Sequence, residues 1–272
     1  MRLHIAPHRI SGVLERGWPR SRQVAASTQT SHDRVPPSPE LDSERLDAVL
    51  QQLELSASVR GARYSAELAD VLVHFDIAEG PFAAQTDREL QAIATACIEE
   101  LLGDEASAFE VRWSLQTGGR HLFIAAVPRA YVTRLAAAAA QRGSRLVSVQ
   151  PAFCRQWNAF ARFLTARVAI FAVTSGAHVV VACVVAGAVC GISVGPWARA
   201  EINDGSTLGA AGPEPRMPTE TSLLIERRAT RLFASLGIEL DSDPQFVLVT
   251  PNPSALSVSP PWTVLQTSGE LQ

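Results

Sequence analysis

The most constraining feature of this sequence is its most apolar run, residues 168–198, VAIFAVTSGAHVVVACVVAGAVCGISVGPWA. It is long enough to cross a bilayer as one helix. Its composition argues otherwise, because Val, Ile and Cys suit strands better than a helix. Thr174-Ser175-Gly176-Ala177-His178 and Ala186-Gly187 interrupt it at turn-like intervals. The run therefore predicts three β-strands, near 167–174, 178–185 and 188–194.

The rest of the chain alternates strand and helix patterns. Residues 2–16 hold two short apolar runs around Pro7-His8-Arg9, which reads as a hairpin. Residues 19–41 are polar and proline-rich and read as a flexible loop. Asp42 or Ser43 opens a helix carrying Leu46, Val49, Leu50 and Leu53. Residues 68–77 read as one strand with Val71, Val73 and Phe75 on one face, and Pro81 breaks it. Thr86 or Asp87 opens a second helix with Leu90, Ile93, Ala94, Cys97 and Leu101. A hairpin follows over 109–115 and 121–128, turning at Thr117-Gly118-Gly119. A helix over 129–142 stops at Gly143 and leads to a strand at 145–151 and a helix at 152–164. After the apolar run come a Gly/Pro-rich loop (203–218), a helix from Thr219 ended by Gly237, and strands at 245–250 and 262–266. This order predicts an α/β fold on mixed sheets, not a strictly wound βαβ array.

Several chemistries are excluded outright. All 24 basic residues are arginine, so no Walker lysine, Schiff-base lysine or kinase-type strand lysine exists. No glycine-rich G-x-G-x-x-G loop appears. Cys97, Cys154, Cys183 and Cys190 form no C-x-x-C and lie in apolar contexts, so they read as buried free thiols. The six histidines form no ligand spacing, and no metal is expected. A net charge of −3 gives no bulk attraction to nucleic acid. The N-terminus lacks the apolar core of a secretory signal, and no transmembrane segment is expected. The acidic helix end Glu99-Glu100 and Asp104-Glu105 and the basic group Arg227-Arg228-Arg231 read as solvated faces. Phe153, Trp157, Phe160 and Phe163 read as the core face of one helix.

One motif points to an enzyme. Gly191-Ile192-Ser193-Val194-Gly195 is G-x-S-x-G, the nucleophile elbow of serine hydrolases. An elbow needs strand, sharp turn and helix, whereas Pro196 and Trp197 follow here. Its histidine should come after the serine, but the last histidine is His178. The motif is read as a small-residue strand end, with a Ser193 hydrolase as the alternative.

The segment EVRWSL…HLFIAAVPRAYVTRLAAAAAQRGSRLVSVQP, with a hairpin before it and three antiparallel strands after it, resembles the actin-like assembly proteins of type IV pili and type II secretion. These are the PilM-type protein and the cytoplasmic domain of the GspL type. The resemblance implies an actin-like (ribonuclease H-like) duplicated mixed-sheet fold with an inserted small α+β subdomain. It divides the chain into 1–84, 85–145 and 146–272. It also implies two phosphate loops at hairpin tips, each usually beginning with Asp and Gly. By position these are Ala6-Pro7-His8-Arg9 and Thr174-Ser175-Gly176, and an adenosine-side region is Thr250-Pro251-Asn252-Pro253. Pro7, His8, Ser175, Gly176 and Pro251 thus occupy the nucleotide positions, without the expected aspartates or paired glycines. The resemblance then implies a non-catalytic cytoplasmic scaffold without a bound cofactor. Its partners would be proteins of a pilus or secretion platform, such as the cytoplasmic segment of an inner-membrane protein. An ATPase with unconventional loop residues is the remaining alternative.

Overall fold

The structure is a computed structural model describing residues 1–6, 9–16, 22–29, 43–56, 61, 63–175, 178–196, 220–238, 244–250 and 262–266. They form two compact units. One comprises Met1–Leu115 and Leu122–Arg155, the other residues 116–121 and Gln156–Glu270.

The first unit begins as expected, with β1 (Arg2–Ala6) and β2 (Arg9–Arg16) antiparallel and Ile5 opposite Ile10. β3 (Arg22–Gln29) corrects the reading of 19–41 as a flexible loop, because it pairs antiparallel with all of β2. Its sequence, RQVAASTQ, has one large hydrophobe and no apolar alternation. Pairing with β2 defines this outer strand, so periodicity could not reveal it. α1 (Ser43–Ser56) buries Leu46, Val49 and Leu50.

The expected strand 68–77 divides in two. β4 (Arg63–Leu68) ends before a 3-10 turn over Asp70–Leu72, and β5 (His74–Glu79) starts a different sheet. The apolar run continues through the break, since Leu68, Ala69, Leu72 and Val73 are all buried. Asp70 is buried with them. α2 (Asp87–Leu102) opens at Thr86 with a capping box, in which the Thr86 side chain accepts from Glu89 N and the Glu89 carboxylate accepts from Thr86 N. It buries Leu90, Ala94 and Ile98, whereas Leu101 is 54% exposed. β6 (Phe109–Leu115) and β7 (His121–Pro128) form the expected hairpin, in a sheet ordered β5-β7-β6. α3 (Arg129–Gln141) ends where Ser144 N donates to Ala139 O and Gly143 N to Ala140 O, with Gly143 at φ 61°.

β8 (Arg145–Pro151) then joins β4 in parallel and completes a sheet ordered β3-β2-β1-β4-β8. The strand expected to open the second half thus belongs to the first sheet, and residues 85–115 and 122–145 cluster with the first unit. The unit boundary falls inside α4 (Ala152–Phe160).

In the second unit the apolar run forms β9 (Val168–Ser175), β10 (His178–Val185) and β11 (Ala188–Pro196), consecutive and antiparallel. α5 (Glu220–Ser235) packs over them through Ile225, Ala229 and Phe233. β12 (Gln245–Thr250) lies parallel to β9 and β13 (Trp262–Gln266) parallel to β12, giving the order β11-β10-β9-β12-β13. Both five-stranded sheets therefore run third, second, first, fourth, fifth, with the same antiparallel and parallel pairings. The architecture is duplicated. No described helix is long and apolar enough to cross a membrane.

The aromatic helix face is only partly core. Phe153 is buried with Phe75 and Phe123, and Trp157 packs edge-on against Phe171 at 5.4 Å. Phe163 is 45% exposed, with the Arg162 guanidinium 5.0 Å above its ring. The helix ends at Phe160 and tightens to a 3-10 turn, which carries Phe163 out of the buried stripe.

Candidate functional site

In the first unit, the carboxyl ends of β1 and β4 come together beside the β1–β2 turn, where Ala69 N donates to Ile5 O. Pro7 and His8, between the two strands in sequence, lie outside the described residues. Two acids not picked out from the sequence meet at this end. Glu67 stands in register with His4, is 3% exposed and accepts an ion-paired hydrogen bond from Arg155 Nη1; His4 Nε2 is 4.0 Å away. Asp70 is also 3% exposed, and both its carboxylate oxygens accept from Phe153 N, at 2.8 and 3.1 Å, in the first turn of α4.

The electrostatics follow from burial. Desolvation pushes the Asp70 carboxyl up to about 8, against the lowering effect of the Phe153 N–H and with a smaller push from Glu67. The Cys154 thiol rises to about 12, first by burial and then by nearby Asp70. Both acids are occupied by groups of their own chain. The sequence signal for them was faint but present: Glu67-Leu68-Ala69-Asp70 places two charges among residues that are otherwise apolar.

The second unit repeats the arrangement with different chemistry. The carboxyl ends of β9 and β12 align, Val173 opposite Val249, and carry Thr174 (6% exposed), Ser175 and Thr250 (4% exposed). Gly176 and Pro251 lie outside the described residues. Where the first unit places two buried carboxyls, this end places hydroxyls. Among the described residues, no group of three or more His, Cys, Asp or Glu could hold a metal ion.

Ser193 lies inside β11, paired with Val181, with strand on both sides and no turn into a helix. The motif has a packing reason. A Cβ on Gly191 would stand 2.5 Å from Leu236 Cδ1, and one on Gly195 would collide with the Arg228 guanidinium. Side chains alternate along a strand, so Ser193 shares this α5-covered face. Gly-x-Ser-x-Gly is here a track of small residues on which α5 lies. Arg228 is accordingly not purely solvated: its Nη2 donates to Pro196 O at 3.3 Å, and burial, then Arg231, lower its pKa. Arg227 and Arg231 are exposed, as are Glu99, Glu100, Asp104 and Glu105. The four cysteines are free thiols; Cys183 and Cys190 are buried, Cys97 and Cys154 half-buried.

Comparison with known proteins gives likeness of fold. The chain is similar to the cytoplasmic domain of EpsL, an inner-membrane component of the type II secretion system of Vibrio cholerae, at 14% identity and a TM-score of 0.53, over 99% of this chain and 89% of that one. It is similar to a chain of the PilM-PilN type IV pilus biogenesis complex at 14% identity and a TM-score of 0.61, over 94% and 82%. It is also similar to a protein with an actin-like ATPase fold from Bacteroides thetaiotaomicron, at 9% identity and a TM-score of 0.55, over 94% and 82%. No protein-family model and no curated protein matches the sequence.

Proposed function

Because the fold is actin-like, with the same five-strand order twice and a small three-stranded sheet inserted in the first half, we propose that this chain is a non-catalytic scaffold in a type IV pilus or type II secretion-like inner-membrane machine. It works on the cytoplasmic side and is recruited to the inner membrane by protein partners. Partner contact is its task, and nucleic acid is not among its ligands.

One observation carries the non-catalytic part of the reading. The two acids at the strand ends of the first unit are spent on Arg155 and on Phe153 N, while the matching end of the second unit carries Thr174, Ser175 and Thr250. A phosphoryl-transfer site needs carboxylates free to hold Mg²⁺ and amides free to hold phosphate. On this reading the nucleotide positions are degenerate, and the fold serves as a scaffold for assembly.

The test is binding to synthetic peptides spanning the cytoplasmic segments of the membrane proteins encoded beside it, read by fluorescence anisotropy. Saturable binding to one such segment, with a scrambled peptide inert, is expected. Failure of every segment to bind would overturn the reading.

A further inference from the structure

β6 is the outer strand of the small sheet, whose order is β5-β7-β6. A groove of about 760 Å³ is lined by residues 109–112, by α2 and the 3-10 turn that follows it, and by Arg129. There is therefore open space beside this edge.

The phase of the β6–β7 ladder identifies the backbone groups that face that space. Gln116 N donates to His121 O at 2.8 Å, making this a hydrogen-bonded pair. Such pairs alternate along an antiparallel ladder. Glu110, Arg112 and Ser114 thus exchange bonds with Val127, Ala125 and Phe123 of β7. Val111 and Trp113 turn their amides and carbonyls outward and Phe109 its carbonyl, the Phe109 amide being already donated to Ala106 O. Arg129 Nη2 reaches one of them, Phe109 O, at 3.1 Å, which leaves a second lone pair on that carbonyl.

The edge reads Phe109-Glu110-Val111-Arg112-Trp113, which is palindromic in charge. Suppose a second copy lies antiparallel to it, about a two-fold axis through Val111. Val111 then faces Val111, the two exchanging both backbone bonds, and Trp113 N meets Phe109 O on each side. Phe109 faces Trp113 twice, and Glu110 faces Arg112 twice. Opposite side chains in such a ladder stand about 5 Å apart, within reach of an ion pair. Glu110 and Arg112 already pair within the strand, so both lie on one face, and the Arg112 side chain is 72% exposed. The symmetric registers one residue to either side fail, and one centred on Trp113 sets Arg112 opposite Ser114 and forms no ion pair. An axis through Glu110 or Arg112 puts like charges opposite each other and brings together residues whose backbone bonds are already used. Native edges are commonly guarded by unmatched charge; the charges here are complementary to themselves.

We infer that β6 is a self-association edge, through which two copies of this chain pair β6 to β6 and join their small sheets into one. The contact is isologous, so it closes at a dimer. The inference goes beyond the scaffold reading and does not rest on it.

Sedimentation velocity on the full chain under reducing conditions, over a concentration series, tests it. A reversible dimer is expected. E110R and R112E each turn two attractive contacts into two repulsive ones and should raise the dimer dissociation constant by roughly tenfold or more. The double variant E110R/R112E restores the palindrome and should restore the dimer. As a second readout, hydrogen exchange at the amides of Val111 and Trp113 should slow as protein concentration rises. A monomer at every concentration, a dimer indifferent to the single variants, or a folded double variant that stays monomeric would each overturn the inference.

Discussion

Glu67 and Asp70 carry carboxyl groups into the interior at the end of β4, and each meets its burial differently. Glu67 has a cation in Arg155. Asp70 has the Phe153 amide and no cation among the described residues, so burial favours its neutral form and raises its pKa to about 8 from 3.8. A carboxyl whose folded pKa lies above its unfolded value stabilises the fold most when protonated. The Asp70 contribution is therefore complete below about pH 4 and is lost as pH rises to about 8. Asp70→Asn keeps an acceptor for the α4 amide and removes the titration. Its melting temperature should fall less than that of the wild type between pH 4.5 and 8, as scanning calorimetry would measure. Equal slopes would mean that Asp70 titrates normally. Ser193 makes a contrasting residue-scale case. Ser193→Ala should change stability by no more than ~0.5 kcal/mol in denaturant melts and leave any esterase background unchanged. Serine-dependent turnover would revive the hydrolase alternative.

At the scale of elements, helix ends and local hairpins were the legible parts. Thr86 before α2, and Gly143 and Gly237 after α3 and α5, act through bonds within a few residues, so their signals lie together in the sequence. Gly237 stands at φ 64°, its N donating to Ala234 O and the next amide, Ile238 N, to Phe233 O. Gly237→Ala should cost about 1–2 kcal/mol for the left-handed backbone. What could not be read depends on distant partners. β3 exists through its ladder with β2, and the break between β4 and β5 depends on Asp70 meeting a helix eighty-odd residues later. The Gly-x-Ser-x-Gly track likewise shows its meaning only with α5 against it. Gly191→Val should destabilise by about 1–3 kcal/mol through overpacking against Leu236 and Leu232, measured by urea unfolding. A neutral result would show that Leu236, 39% exposed, turns aside and that the close approach is not needed.

At the scale of the molecule, the duplication was visible in outline only. The β1–β2 hairpin and the three consecutive antiparallel strands of the second unit can be inferred from turns and apolar runs, whereas β3 cannot. The parallel additions of β4 and β8, and of β12 and β13, join segments far apart in the chain, so local pattern cannot fix them. The resemblance to actin-like assembly proteins implied a duplicated mixed-sheet fold, and the two sheets bear it out. The candidate site was less legible. Pro7, His8, Gly176 and Pro251 fall outside the described residues, and the pair that best defines the first strand end, Glu67 and Asp70, was not singled out.

The proposed scaffold role requires that an actin-like chain hold no working nucleotide site. Isothermal titration of the full chain with ATP, with and without Mg²⁺, tests this most directly. The account predicts no magnesium-dependent binding heat at millimolar ATP. Tight, magnesium-dependent binding would contradict it and return the chain to the ATPases.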